Sequence, residues 1–342
     1  MVRSPMRAEV NTRAVLTAVA VLAATLAVTG CERDEELTGE SESLTLALDW
    51  VVNPDHVGIY TGLANGYFGD AGLEVDPQVP SDPSAPIKQV AAGRVDLAVS
   101  YEPEVLLARD QGLDVIAVAA IAQEPLTSLI SLDAKVTGAD GLEGKRLATA
   151  GIPYQDAYLE AMLRAENLPA DSVRQVDVGF NLEPALLAGK VDAVLGMFRN
   201  IEGVDLRERK KNPTIVPVDE LGIPTYDELV LVANASAVEE DPEPIRLFIG
   251  ALERGTRAAI DDPKAATEAL LEASRDLDPK LTQAQVDATL PVLLPAADRP
   301  YGYMEPTQWR EFAGFFADMG QTQLRLGPDE LLTNELLPGE IE

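Results

Sequence analysis

The sequence predicts an α/β chain folded into two lobes, and three observations lead there. From Leu44 onward, short apolar runs alternate with segments that begin at proline or an Asn/Asp cap and end at glycine. That is the alternation of strands and helices in a mainly parallel sheet. The strings AAGRVDLAVS (Ala91–Ser100) and LAGKVDAVLG (Leu187–Gly196) repeat one plan: a helix end, a glycine, a basic residue, Val-Asp, then an apolar strand. Roughly 300 residues follow the N-terminal leader, more than one ordinary core holds.

In chain order, Leu44–Trp50 (LTLALDW) reads as the first strand. Asn53-Pro54 then starts a helix, with asparagine as N-cap, proline at the first helical position and Gly66 as the stop. Leu73–Val79 is a strand, Ser84–Gly93 a helix, Asp96–Ser100 a strand, Pro103–Gln111 a helix and Asp114–Ala122 a strand. The second series runs Lys145–Ala150 (strand), Pro153–Glu166 (helix), Val173–Val178 (strand), Glu183–Gly189 (helix) and Asp192–Gly196 (strand). Glycine at the end of each repeated helix permits a left-handed cap, and the basic residue beside it suits the negative helix end. Two extended segments, Ser128–Leu132 and Glu228–Asn234, are expected to lead the chain out of the first lobe and back. Residues 44–127 with 228–342 then form lobe 1, and 128–227 form lobe 2. The C-terminal part reads as helical. Asp241-Pro242 and Asp262-Pro263 are cap pairs, Thr282 with Gln285 fits a capping box, and Trp309, Phe312, Phe316 and Met319 share one core-facing stripe.

Ahead of the fold, Arg3, Arg7 and Arg13 lead into Ala14–Val28, an uncharged and mostly apolar run of fifteen residues. A membrane-spanning helix needs about 20 apolar residues, whereas a signal-peptide core is this short. Val28-Thr29-Gly30-Cys31 follows at once and resembles the bacterial lipobox, whose cysteine is acylated and becomes the new N-terminus. Cys31 is the only cysteine, which excludes a disulfide framework and a thiolate metal cluster. Residues 1–30 are expected to be a signal peptide. Residues 31–43, acidic and without aromatics, form a tether to a membrane-held lipid.

Net charge is −30; residues 1–30 hold three Arg and one Glu, which leaves 24 basic against 56 acidic groups, or −32. Such a surface repels phosphate backbones, so no nucleic-acid partner is expected. It says nothing about the ligand, because the field inside a cleft is local.

The order strand, helix, crossover, second lobe, return strand and helical tail resembles the type II solute-binding proteins. The strings LALDWVVNPDHVGIY, NGYFGDAGLEV, PSDPSAPIKQVAAGRVDLAVSYEPEVLLARDQGLDV and LGIPTYDELVLVAN narrow the resemblance to the branch that binds thiamine-pyrimidine precursors such as formylaminopyrimidine. It covers about Leu44–Gly320. It implies a two-lobed periplasmic-binding-protein type II fold with hinge crossovers and a helical C-terminal part. Relatives of this branch carry Trp-Asn-aromatic-Glu after the second-lobe strand. Here the string is Arg199-Asn200-Ile201-Glu202, so Arg199 stands where a tryptophan is usual.

Ligands of open parallel sheets sit outside the carboxyl ends of the strands. That rule selects Asp49, Trp50, Asn53, His56 and Tyr60 after the first strand, and Ser100, Tyr101 and Glu102 after the strand at Asp96. In the second lobe it selects Tyr154, then Phe198, Asn200 and Glu202; Tyr226 precedes the return crossover. Trp50, Tyr60, Tyr101 and Tyr154 offer ring faces, Asn53 and Asn200 can donate and accept, and Glu202 can accept from an amine. Each has a plainer reading as a core, rim or ion-pair residue. His56, the single histidine, reads more simply as a structural hydrogen-bond partner, and no second histidine or cysteine is available for a metal site.

The expected protein is therefore a monomeric, lipid-anchored binding protein on the extracytoplasmic face of the cell membrane. It captures a small heteroaromatic ligand for an ABC permease and its ATPase, with no cofactor and no metal. Riboflavin or a sulfonate is the alternative solute. Some eukaryotic relatives make the thiamine pyrimidine from a histidine and pyridoxal phosphate near a cysteine-rich motif. That motif is absent here, and the sequence is read as not an enzyme.

Overall fold

The computed structural model describes residues 41–295 and 299–339; the leader, Cys31 and most of the tether lie outside them. Ten strands form two sheets of five. The first sheet holds β1 (Glu42–Ala47), β2 (Leu73–Gln78), β3 (Leu97–Ser100), β4 (Ile116–Ala122) and β10 (Leu229–Ala233), in the order β2-β1-β3-β10-β4. The second holds β5 (Thr127–Ser131), β6 (Arg146–Thr149), β7 (Arg174–Asp177), β8 (Ala193–Phe198) and β9 (Thr214–Pro217), in the order β7-β6-β8-β5-β9.

The two sheets share one plan. Three parallel strands (β2-β1-β3 and β7-β6-β8) are followed by one antiparallel strand supplied from the other end of the chain's path. β10 is antiparallel to β3 and β4; β5 is antiparallel to β8 and β9. The segments read as passages, Ser128–Leu132 and Glu228–Asn234, are therefore largely strands buried inside the sheets, and the chain passes between sheets just before each of them. A strand that arrives from the other sheet enters from the opposite side, so it must run against its neighbours. β9, four half-buried residues at a sheet edge, carries too little apolar pattern to be read from sequence.

The repeated strings do identical work. Gly93 and Gly189 take left-handed φ of 62° and 64°. Behind them Arg94 N–H donates to Gln89 O and Lys190 N–H to Ala185 O, at 2.9 and 3.0 Å, which closes each helix end. The following aspartates then grip the neighbouring strand: Asp96 accepts from the Thr45 amide and hydroxyl, and Asp192 from the Arg146 amide and guanidinium. The Arg146 contacts hold the Asp192 carboxyl down at about 2.

Helix starts follow the proline and cap signals with two shifts. Asn53 caps the turn Pro54–His56, which runs on into the helix Val57–Ala64. Asp262 caps Pro263–Ala273 as expected. Helix Pro279–Thr289 is capped by Asp278, which places Thr282 and Gln285 inside the helix and corrects the capping-box reading. The helix Pro306–Asp318 buries Trp309, Phe312 and Phe316, with Met319 partly covered just beyond it. It is fixed by Trp309 Nε1–H donating to Asp227 at 2.7 Å. No helix of the described residues is long and apolar enough to cross a membrane.

Candidate ligand-binding site

A narrow cavity of about 30 Å³, continuous with solvent, opens where four parallel strands end. Asp49, Trp50, Asn53 and Asp55 follow β1, and Tyr101 follows β3. From the second sheet, Ile152, Tyr154 and Gln155 follow β6, while Gly196, Phe198, Ile201 and Glu202 follow or end β8. The carboxyl-end rule thus finds the cavity, because loops after parallel strands converge on one side.

On the first-sheet side the groups are tied to one another. Asp49 Oδ2 accepts from the Tyr101 hydroxyl at 2.7 Å, and Asp49 Oδ1 pairs with His56 Nε2 at 2.8 Å. The Asn53 backbone N–H points at His56 Nδ1 at 3.3 Å, so Nδ1 accepts and the ring proton belongs on Nε2, donating to Asp49. Asn53 Oδ1 accepts the Asp55 amide at 2.8 Å and its Nδ2 donates to Val51 O at 3.0 Å. This local cap is what turns the chain sharply after Trp50.

Across the cavity the rings meet at angles rather than in stacks. Tyr101 and Tyr154 have centroids 5.5 Å apart, Tyr101 and Phe198 6.5 Å, and Trp50 meets Phe180 edge-on at 4.6 Å. Gln155 Oε1 accepts the Ala150 amide at 2.8 Å, which fixes the orientation of its amide. Gly196 has φ of 115°, and a side chain there would run into that same amide.

The cavity is rich in acid. Burial pushes the Asp55 carboxyl well above its usual range; the Asn200 hydrogen bond opposes this, and Asp49, Glu202 and Glu228 add to it. Burial also raises Glu202 to about 7, against the pull of the Phe198 amide that it accepts at 2.9 Å. Among the described residues no Lys or Arg lines the cavity. None of them forms a cluster able to hold a metal ion.

Of the residues selected from sequence, Asp49, Trp50, Asn53, Tyr101, Tyr154, Phe198 and Glu202 line this cavity, and His56, Tyr60, Ser100, Glu102 and Asn200 do not. His56 stands behind the lining, through Asp49. Tyr60 is half-buried on its helix, where burial raises its hydroxyl to about 12. Glu102 is buried elsewhere, accepting the Asp227 amide at 2.7 Å and the Gln308 side chain. Asn200 Nδ2 joins Asp55 Oδ1 at 2.6 Å to Thr289 Oγ1 at 2.8 Å. Tyr226 is fully buried, its hydroxyl on Glu228. Arg199, which stands where relatives carry tryptophan, forms no ion pair with Glu202. It is spent on Glu124 and the Pro125 carbonyl, at 2.5 and 3.2 Å. Sequence reading missed Asp55, Ile152, Gln155, Gly196 and Ile201. Only Gly196, a glycine inside a strand pattern, carried a signal of close approach.

Residues 53–266 match the family described as NMT1/THI5 like. A formylaminopyrimidine-binding protein of Halalkalibacterium halodurans is 31% identical over 86% of this chain and 90% of its own length. A putative thiamine biosynthesis protein of Haemophilus influenzae is 34% identical over 82% and 88%. Among solved structures, the alkanesulfonate-binding protein SsuA of Xanthomonas axonopodis superposes with a TM-score of 0.68 at 15% identity, covering 86% of this chain and 99% of that one. The family also contains enzymes by name. A 4-amino-5-hydroxymethyl-2-methylpyrimidine phosphate synthase of Aspergillus parasiticus is 26% identical over 67% of this chain and 70% of its own. That relative overturns the expectation that the chain is not an enzyme, because the missing cysteine motif does not separate it from a family holding both binding proteins and synthases. Sequence and fold together establish that the chain belongs to the NMT1/THI5-like family and has the periplasmic-binding-protein type II fold.

Proposed function

We propose that this chain is an extracytoplasmic solute-binding lipoprotein of an ABC importer, and that its solute is a thiamine-pyrimidine precursor of the formylaminopyrimidine kind. The observation that carries the reading is the lining of the cavity: rings from Trp50, Tyr101, Tyr154 and Phe198 beside the Glu202 carboxyl, with no Lys or Arg among the described residues. A flat amine-bearing ring gains from stacking, about 1–3 kcal/mol per base face, and offers its amine to a buried acceptor. A sulfonate would bring negative charge into a cavity that already holds three carboxyl groups. The formylaminopyrimidine-binding relative supports the same choice.

Residues 44–127 with 228–342 act as one lobe and 128–227 as the other, closing on the solute about the two passages between sheets. Cys31 carries the lipid that holds residues 31–43 as a tether at the outer face of the cell membrane, and a monomer delivers solute to the permease and its ATPase.

A thermal-shift screen of the soluble domain against pyrimidines, flavins and sulfonates tests the solute. A ligand at a hundred times its Kd stabilises by about 2.7 kcal/mol, which is readily seen. Calorimetry on Trp50→Ala and Glu202→Gln tests the site. Each should weaken the best ligand roughly ten- to a hundred-fold, and wild-type affinity in both would show the site to be misplaced. Tyr303→Ala, outside this cavity and beneath Arg299, serves as the control. Intact mass of the native protein reads the anchor, since an unmodified thiol at Cys31 would remove it.

A further inference from the structure

Asp55 holds one atom that the fold leaves unused. The residue lines the cavity and is 3% exposed. Oδ1 accepts from Asn200 Nδ2 at 2.6 Å, while Oδ2 is buried with no hydrogen-bond partner among the described residues. The protonation state does not remove the problem: as a carboxylate, Oδ2 is an acceptor without a donor, and as an acid it is a donor without an acceptor. Buried polar atoms are almost always paired, so one left alone at the wall of a cavity calls for a partner that enters the cavity. The neighbouring carboxyl groups of Asp49 and Glu202 come from loops on both sides, and no cation among the lining residues neutralises them.

We infer that Asp55 is a second ligand-reading carboxyl, so that the solute must present two hydrogen-bond donors, one to Glu202 and one to Asp55 Oδ2. This rests on the pyrimidine reading of the cavity and narrows it. A flat ring with a single donor satisfies Glu202 alone and leaves Asp55 Oδ2 buried and unpaired. A solute with an amine on the ring and a second N–H on a substituent satisfies both. Discrimination of this kind is strong, because a site built for a donor is left with an orphaned polar group when the donor is missing.

Asp55→Asn is the informative variant. The new amide oxygen can keep the bond from Asn200 Nδ2, and the Asp55 backbone amide still donates to Asn53, so the local turn survives. What changes is the second atom, which becomes an N–H₂ in place of the unpaired oxygen. Calorimetry should use formylaminopyrimidine and two analogues, one lacking the ring amine and one lacking the formylamino N–H. The variant is expected to melt no lower than wild type and to bind formylaminopyrimidine ten- to a hundred-fold more weakly. For one of the analogues it should lose little or nothing, since the donor that Asp55 reads is already gone. If the variant binds all three as wild type does, or loses equally on all three, Asp55 does not touch the solute and the inference falls alone. If wild-type protein binds none of the three, the pyrimidine reading falls and takes the inference with it.

Discussion

The two sheets are built alike and finish their cavity edges differently. Asp96 grips Thr45 beside β1, and Asp192 grips Arg146 beside β6, after helix ends closed by the same glycine-based turn. Past the strand ends the likeness stops. The first-sheet edge is tied together by its own bonds, with Asp49 taking both the His56 ring and the Tyr101 hydroxyl and only Asp55 Oδ2 left over. The second-sheet edge is Phe198, Ile201 and a Glu202 held by a backbone amide of its own loop. A repeated scaffold therefore carries one edge whose groups, Asp55 Oδ2 apart, are fixed before any solute arrives and one whose carboxyl keeps acceptor capacity free. Stability should be sensitive to the first edge and affinity to the second.

The largest test of that division is Asp49→Ala. It leaves the His56 Nε2–H and the Tyr101 hydroxyl buried without acceptors, and each orphaned buried donor costs about 1–3 kcal/mol. Glu202→Ala strands only a backbone amide on a half-buried loop, so its stability should fall by about 1 kcal/mol or less. Chemical denaturation of both variants decides the matter. Equal losses would mean that the two edges are held in the same way.

The division was only half visible in the sequence. The repeat at Ala91–Ser100 and Leu187–Gly196 displayed the shared scaffold, because glycine, a basic residue and Val-Asp are required by local backbone geometry. The carboxyl-end rule then found Trp50, Tyr101, Tyr154, Phe198 and Glu202, because strand direction fixes where loops gather. It could not separate Tyr101, aimed at Asp49, from Glu102 one residue later, which turns to Asp227 on the far side. Nor could it give Asn200 a partner in Asp55, since that pairing depends on two loops 145 residues apart meeting in space. Chain direction is local information. The choice between neighbours in a loop is made by tertiary contacts.

Acid titration gives a second, smaller contrast. Burial raises both Glu104, beneath the first edge, and Glu202, on the second, to about 7. A carboxyl raised in the folded state favours folding most below the unfolded pKa near 4.5, and that contribution is lost as pH rises through about 7. Thermal stability should therefore fall between pH 5 and 7.5, and both Glu104→Gln and Glu202→Gln should flatten the decline. Affinity should behave oppositely and, of these two groups, involve only Glu202. The carboxylate is the form that accepts an amine, so binding strengthens as pH rises, by up to roughly thirty-fold between pH 5.5 and 8. Calorimetry across that range should lose this rise in Glu202→Gln and keep it in Glu104→Gln.

The smallest effect separates the fixed edge's bonds from its ring. Tyr101→Phe removes the hydroxyl on Asp49 and leaves the ring against Tyr154 and Phe198. Asp49 still holds His56, so one neutral donor to a charged acceptor is lost, at a cost of about 1–2 kcal/mol in stability. If the first edge only presents a pre-placed ring, affinity should change by less than about three-fold, because aromatic stacking needs the face and not the hydroxyl. A loss of ten-fold or more, with the variant folded, would place the Asp49–Tyr101 bond itself in contact with the solute. The first edge would then read hydrogen bonds through Asp49 as well as Asp55, and the contrast between a largely fixed edge and a reading edge would give way to two reading edges.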